Sequence, residues 1–196
     1  MLRITSNVVI LDRDGVINLN SDQYIKTPEE WVPIPGSLEA IARLCRADFR
    51  VVVATNQSGI SRGLLDMETL NRINNKMLSE VQEKGGRIDA IFLCPHSPED
   101  CCNCRKPKPG LLLEIGERLG VSLFGVPFVG DSVSDMYAAK AVGAQPILVE
   151  TGNGDNTKRY FTADNGKEIF DVHHIYQDLA AFVAALLDSR YSSKGV

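Results

Sequence analysis

Short, almost wholly apolar runs alternate along this chain with longer stretches of helical spacing. Val8–Leu11 is one such run, and its four consecutive apolar residues predict a buried strand. The same reading predicts strands at Val51–Ala54, Ile88–Leu93, Val126–Val129 and Pro146–Val149. Between the first two, Leu38, Ile41, Ala42, Leu44 and Cys45 recur at helical spacing and predict a helix over Ser37–Ala47. Asp66–Glu83 is a second helix, capped by Asp66 and ended by Gly85-Gly86. Pro109–Leu119 is a third, with Gly120 just past its end, and Ser134–Val142 a fourth, stopped by Gly143. From about Thr151 to His174 the pattern fades into Gly, Asn, Asp, Thr and Lys, which reads as a loop. Leu179, Phe182, Val183, Leu186 and Leu187 then mark a final amphipathic helix, expected to fray from about Arg190.

Alternating strands and helices, with strands apolar on both faces, predict an α/β fold: a doubly wound parallel sheet covered by helices on each side. A chain of 196 residues fits one domain over 1–196, with a core at about 7–150 and a C-terminal loop and helix over 151–190. The stretches 15–54 and 59–105 leave no room for a separate cap domain. Composition is ordinary for a globular chain, with 44% hydrophobic and 23% charged residues. A net charge of −4 with no block of Lys or Arg argues against a nucleic-acid partner. No apolar run approaches the ~20 residues of a membrane span, and the N-terminus lacks the apolar run of a signal peptide. The expectation is a cytoplasmic protein with no membrane partner, in which nothing demands more than a monomer.

Doubly wound sheets bind ligands at the carboxyl ends of their strands. Asp12-Arg13-Asp14-Gly15 follows the first predicted strand and Thr55-Asn56-Gln57-Ser58-Gly59 the second. A cysteine-rich segment leading to Arg105-Lys106-Pro107 follows the third, and Gly130-Asp131-Ser132-Val133-Ser134-Asp135 the fourth. The end of the last strand is given no such chemistry. Asp12 and Asp14 lie two residues apart, so in extended chain both face one ligand, and Asp131 can join them. Three converging carboxylates repel, and a hard divalent cation with oxygen ligands, Mg²⁺, relieves that repulsion. Lys106 adds a positive charge suited to phosphate. Carboxylate, magnesium and lysine together make a phosphoryl-transfer kit. One Asp after a strand is commonly a turn former, but that does not account for four complementary strand ends. The twelfth place of an EF-hand starting at Asp12 would be Gln23, and Gly152-Asn153-Gly154 lacks the third glycine of a dinucleotide loop.

Four of the five cysteines fall within Cys94–Cys104. Cys94-Pro95-His96 followed by Cys102-Asn103-Cys104 gives a C-x-H…C-x-C set. Three thiolates and an imidazole suit tetrahedral Zn²⁺ with no open position, a structural site. Its expected role is to pin the loop that delivers Arg105 and Lys106. Cys101 stays outside the set, and Cys45 belongs with the core.

Asp12-x-Asp14-Gly15-Val16, Thr55-Asn56-Gln57, Lys106, and Gly130-Asp131 with Asp135 resemble, in order, the four motifs of the haloacid dehalogenase (HAD) superfamily. The resemblance implies that Asp12 attacks phosphorus and that Asp14 is the acid and base. It implies that Thr55 and Lys106 hold the phosphoryl oxygens. Mg²⁺ is then held by Asp12, the Asp14 carbonyl and Asp131, with Asp135 supporting from behind. CPH…CxCRKPKPG together with TNQSGIxRG further resembles the zinc-containing heptose-bisphosphate phosphatases of that superfamily. That family acts on a small-molecule sugar bisphosphate, removing the C7 phosphate through an aspartyl-phosphate in heptose nucleotide biosynthesis. By the same resemblance Arg105 holds the distal phosphate. Asn18, Asn20, Asp22, Tyr24, Thr55, Asn56, Gln57 and Ser58 would line the substrate, with Arg62, Lys106 and Ser132. Histidinol-phosphate phosphatases carry the same C-x-H…C-x-C and are the alternative. Polynucleotide 3′-phosphatases share Thr55-Asn56-Gln57, and a phospho-receiver or zinc-binding module is the reading outside enzymes.

Overall fold

The computed structural model of the chain describes residues 7–163 and 174–192. Its elements in order are β1 (Val8–Leu11), α1 (Ser37–Arg46), β2 (Arg50–Asn56), α2 (Met67–Glu83), β3 (Ala90–Cys94), α3 (Gly110–Leu119) and β4 (Pro127–Gly130). Then follow α4 (Val133–Ala141), β5 (Gln145–Val149), α5 (Gly154–Thr162), β6 (Ile175–Tyr176) and α6 (Leu179–Ser192). The six strands form one sheet in the order β3-β2-β1-β4-β5-β6, and every pairing is parallel. The chain winds outward from β1 to β3, then crosses back to set β4 against the other side of β1. The sheet therefore reverses direction between β1 and β4, where Leu11 pairs with Val129. Doubly wound sheets open a crevice at that reversal.

Side-chain alternation sorts the two faces. Val9, Leu11, Val51, Val53 and Val129 pack into one core with α1, α2 and α6. Val8, Ile10, Val52, Ala54 and Phe128 pack into the other with α3 and α4. Strands buried on both sides explain their unbroken apolar sequence. Asp66 caps α2 as its sequence predicts, its carboxylate accepting the Thr69 N–H at 2.7 Å. No helix among the described residues is long and apolar enough to cross a membrane.

Three features depart from the sequence pattern. The stretch after Thr151, expected as a loop, holds the nine-residue helix α5. Its polar sequence hides two buried residues, Thr157 and Phe161, of which Phe161 packs with Met136 and Leu148. The rest of that expected loop, 164–173, lies outside the described residues. Two residues then pair with β5 as β6, too short to be seen as a strand in sequence. Arg190, expected to fray, is anchored: its guanidinium donates to the Ala47 carbonyl and to Asn7 Oδ1, both at 2.7 Å, and stacks over Phe49.

Candidate active site

Asp12 leaves β1 and Asp131 leaves β4, so the neighbouring strands at the reversal bring two carboxylates to one place. Asp135 joins them from the first turn of α4. Oxygens of all three lie within 4.8 Å of one another, and all three residues are buried. Gly130 makes room for the third, because a Cβ there would stand 2.3 Å from the Asp135 Cβ. Gly15, at φ +83°, makes room for Asp131, whose Oδ2 would lie 2.1 Å from an added Cβ.

Lys106 is the cation of this cluster. Its Nζ lies 3.0 Å from Asp12 Oδ1 and 2.7 Å from Asp135 Oδ1, and it donates to the Ala54 carbonyl at 2.7 Å. Burial would lower its pKa, but Asp12 and Asp135 outweigh that and hold it at about 12. One ammonium does not balance three carboxylates. Burial, then Asp135, pushes Asp12 well above the usual carboxylate range despite Lys106. The same two causes raise Asp131 to about 7. An excess of buried oxygen donors and negative charge fits a hard divalent cation.

Asp14 does not turn into this acidic cluster. Its carboxylate lies against the Arg13 guanidinium and accepts from Asn18 Nδ2 at 2.9 Å and Gln57 Nε2 at 2.8 Å. Asp12 and Asp14 nevertheless line one cavity. The backbone turns after Leu11, with the N–H groups of Ile17 and Asn18 donating to the Arg13 carbonyl. Asp135 commits both oxygens, Oδ1 to Lys106 and Oδ2 to the Ser132 hydroxyl and N–H at the start of α4.

A cavity of about 260 Å³ opens above these groups. Of the residues expected along the substrate, Asn20, Tyr24, Thr55, Asn56, Gln57, Arg105, Lys106 and Ser132 line it. Asn18, Asp22, Ser58 and Arg62 do not. Asn18 is fully buried beneath Asp14, and Ser58 is buried in its turn. Arg62 faces outward and pairs with Glu99, and Asp22 is an exposed loop residue between Ser21 and Tyr24, which do line the cavity. Two of the lining residues hold protein as well. The Asn56 amide binds the Lys106 backbone through both its ends, and the Ser132 hydroxyl donates to Asp135.

The end of β5, which the sequence reading left without chemistry, also contributes. The Asn153 N–H donates to Asp131 Oδ2 at 2.7 Å, and the Thr151 hydroxyl donates to the Gly15 carbonyl at 2.6 Å. Gly152 lies so close that a Cβ would meet Asp131 Oδ2 at 2.2 Å. The signal was the polar run Glu150–Asn153 directly after an apolar strand. Arg13 was a second missed signal, a charge between two aspartates at the end of a buried strand.

Beside the cavity, Cys94, His96, Cys102 and Cys104 converge. The three sulfurs lie 3.2–3.6 Å apart, and His96 Nδ1 is 3.3 Å from Cys104 and 3.6 Å from Cys94. Four ligands at zinc bond lengths stand about 3.3–3.8 Å apart on a tetrahedron, so this donor set fits Zn²⁺. Cys101 is exposed on a left-handed turn outside the set. The cluster is tied to the catalytic loop, since Arg105 donates to the His96 carbonyl at 3.0 Å and Gly110 donates to the Asn103 carbonyl.

Crevice, paired strand-end aspartates and buried lysine define a hydrolase of the HAD type. The HAD-hydrolase-like family model matches residues 103–181. A Pseudomonas aeruginosa D-glycero-beta-D-manno-heptose-1,7-bisphosphate 7-phosphatase is 52% identical over 184 residues, 94% of this chain and 99% of that protein. The enzyme of the same name from Bordetella bronchiseptica is 51% identical, covering 92% of this chain and 97% of that protein. The crystal structure of D,D-heptose 1,7-bisphosphate phosphatase from B. bronchiseptica, complexed with magnesium and phosphate, superposes with a TM-score of 0.87 at 50% identity. It covers 93% of this chain, which in turn covers 98% of it. The Burkholderia thailandensis enzyme gives a TM-score of 0.69 at 43% identity, with 92% of this chain and 97% of that one covered. This chain belongs to the D-glycero-beta-D-manno-heptose-1,7-bisphosphate 7-phosphatase family and is a phosphoric monoester hydrolase.

Proposed function

We propose that the chain removes the C7 phosphate of D-glycero-β-D-manno-heptose 1,7-bisphosphate, with Asp12 as nucleophile. The observation that carries this reading is the buried Lys106, which joins Asp12 to Asp135 beside Asp131 at the floor of the cavity. In the first step an Asp12 oxygen forms a bond to phosphorus as the bond to the C7 oxygen breaks. Asp14 gives that leaving oxygen its proton. In the second step Asp14 takes a proton from water, which attacks phosphorus and returns Asp12 with release of inorganic phosphate. Lys106 and Thr55 hold the phosphoryl oxygens in both. Asp12 and Asp131, with the Asp14 carbonyl, would hold Mg²⁺, which supplies charge neutralisation of the phosphoryl group. Asp135 keeps Lys106 in place. Arg105 lines the cavity from the zinc loop and takes the distal phosphate, while Asn20 and Tyr24 line the sugar.

Zn²⁺ held by Cys94, His96, Cys102 and Cys104 would fix the loop that carries Arg105 and Lys106. A reduced-thiol cluster of this kind belongs in the cytoplasm, and a monomer suffices because the residues named come from one chain. Asp12→Asn keeps the shape of the nucleophile and removes its charge. Phosphate release from heptose bisphosphate with Mg²⁺ should fall by about 10³-fold or more, with the circular-dichroism spectrum unchanged. Turnover near the wild-type rate would overturn Asp12 as nucleophile. A preference of the wild-type enzyme for histidinol phosphate would overturn the substrate.

A further inference from the structure

Arg13 is among the largest fully buried side chains of the protein, at 1% exposure, and the mechanism above does not use it. Its guanidinium lies along the edge of the Asp14 carboxylate. Nε donates to Oδ1 at 3.2 Å, and Nη2 reaches both oxygens, at 3.0 Å to Oδ1 and 2.9 Å to Oδ2. The far end of the guanidinium is held too, since Nη1 donates to Asn74 Oδ1 at 3.3 Å. Asn74 is a buried polar residue on the face of α2 that otherwise buries Leu70, Ile73, Met77 and Val81.

Adjacent residues in extended chain point to opposite sides. Arg13 and Asp14 meet only because the backbone turns after β1, and the turn buries a charge that is costly unless it is well paired. Asn18 and Gln57 each give Asp14 one amide donor, to Oδ1 and Oδ2 respectively. The guanidinium adds a planar fork along the same edge, Nε to Oδ1 and Nη2 to Oδ2, which fixes the plane of the carboxylate with a rigid, charged partner. Arg13, as a guanidinium, cannot serve as the acid that protonates the leaving group. At 1% exposure it is also walled off from substrate.

We propose that Arg13, braced by Asn74 of α2, is a positioning residue that holds the Asp14 carboxylate in the orientation from which it protonates the leaving oxygen. This rests on the reading of Asp14 as the proton donor. A competing role, charge balance alone, would be met by any buried cation.

Leaving groups separate these roles. A sugar alkoxide needs a proton as it departs; 2,4-dinitrophenolate does not. The measurement is kcat/KM with Mg²⁺ on heptose bisphosphate and on 2,4-dinitrophenyl phosphate, expressed as the ratio of the two. Because kcat/KM covers only the steps through P–O cleavage, the ratio isolates proton donation. Asp14→Asn calibrates the scale and should lower the ratio by about 100-fold or more. Arg13→Lys keeps the charge but loses the fork, and should lower it by about 10-fold. Asn74→Leu, which keeps the branched skeleton and removes the acceptor, should lower it by about 3-fold, and it carries the test if Arg13→Lys does not fold. A wild-type ratio in Arg13→Lys means charge balance alone and overturns the proposal. Equal loss on both substrates means a merely structural role and also overturns it. If Asp14→Asn itself leaves the ratio unchanged, the proton-donor reading falls and the positioning role with it. If Asp14→Asn lowers the ratio while neither Arg13→Lys nor Asn74→Leu does, only the positioning role falls.

Discussion

Asp131 is buried beside Asp12 and Asp135, and burial with the Asp135 charge raises its carboxyl to about 7. Without a cation its charge works against the fold; in the proposed site it would be a Mg²⁺ ligand. Asp131→Asn should separate the two. The amide keeps an acceptor for the Asn153 N–H and removes one charge from the cluster. In Mg²⁺-free buffer the variant should be more stable than wild type, on the order of 1–3 kcal/mol. Adding Mg²⁺ to about 100 times its Kd should raise wild-type stability by about 2.7 kcal/mol and leave the variant almost unmoved. Thermal melts of both proteins with and without Mg²⁺ check this, and a variant less stable than wild type in both buffers would contradict it. At this scale the sequence was informative where chemistry depends on residue type. Asp12 and Asp131 meet because strand ends meet. Contacts made by main-chain groups, such as the Asn153 N–H, and contacts across a turn, such as Arg13 with Asp14, depend on backbone path, so the polar run Glu150–Asn153 and the charge at Arg13 mark a place in the sequence but not a partner.

Between β3 and α3 the chain makes no long regular element, yet it must hold Lys106 within 3.0 Å of Asp12. Asn56 clamps the Lys106 backbone, and Cys94, His96, Cys102 and Cys104 converge just before it, placed so that a bound Zn²⁺ would pin the same loop. Cys104→Ser should lower bound zinc below one equivalent in elemental analysis. It should speed amide hydrogen exchange over 95–110 while the sheet stays protected, and cut kcat/KM by about 10-fold or more as Lys106 and Arg105 lose their fixed places. Unchanged exchange in that loop would show that the cluster does not pin it. The ligand spacing made this loop legible, because metal geometry demands particular residues at particular intervals. Helix α5 was not legible. Its residues favour turns, and it forms because Thr157 and Phe161 find burial against β5 and α4, a tertiary effect that outweighs local propensity.

Across the whole molecule, the catalytic groups sit at one end of the sheet, and α6 covers the opposite flank of the core with α1 and α2. Leu179, Phe182, Val183 and Leu186 are buried there, and Phe182 meets Tyr176 of β6 edge to face at 5.4 Å. Helix α6 thus completes the core on the β5–β6 side of the sheet, and Arg190 ties its end back to Asn7 and Ala47. None of its residues lines the cavity. Sequence periodicity located α6 but not its partner, since one chain of apolar residues does not say which face of the sheet it will cover. Stability and catalysis should therefore separate in Phe182→Ala. Loss of a buried aromatic ring costs about 3–5 kcal/mol, against a typical total of about 5–15 kcal/mol. The urea midpoint should drop accordingly, with the melting temperature lower by about 6–20 °C. At 25 °C the folded enzyme should keep wild-type kcat, because Asp12 and Asp131 follow β1 and β4, Lys106 lies just before α3, and none of these elements is α6. A fall in kcat without a fall in stability would mean that α6 communicates with the site through the sheet.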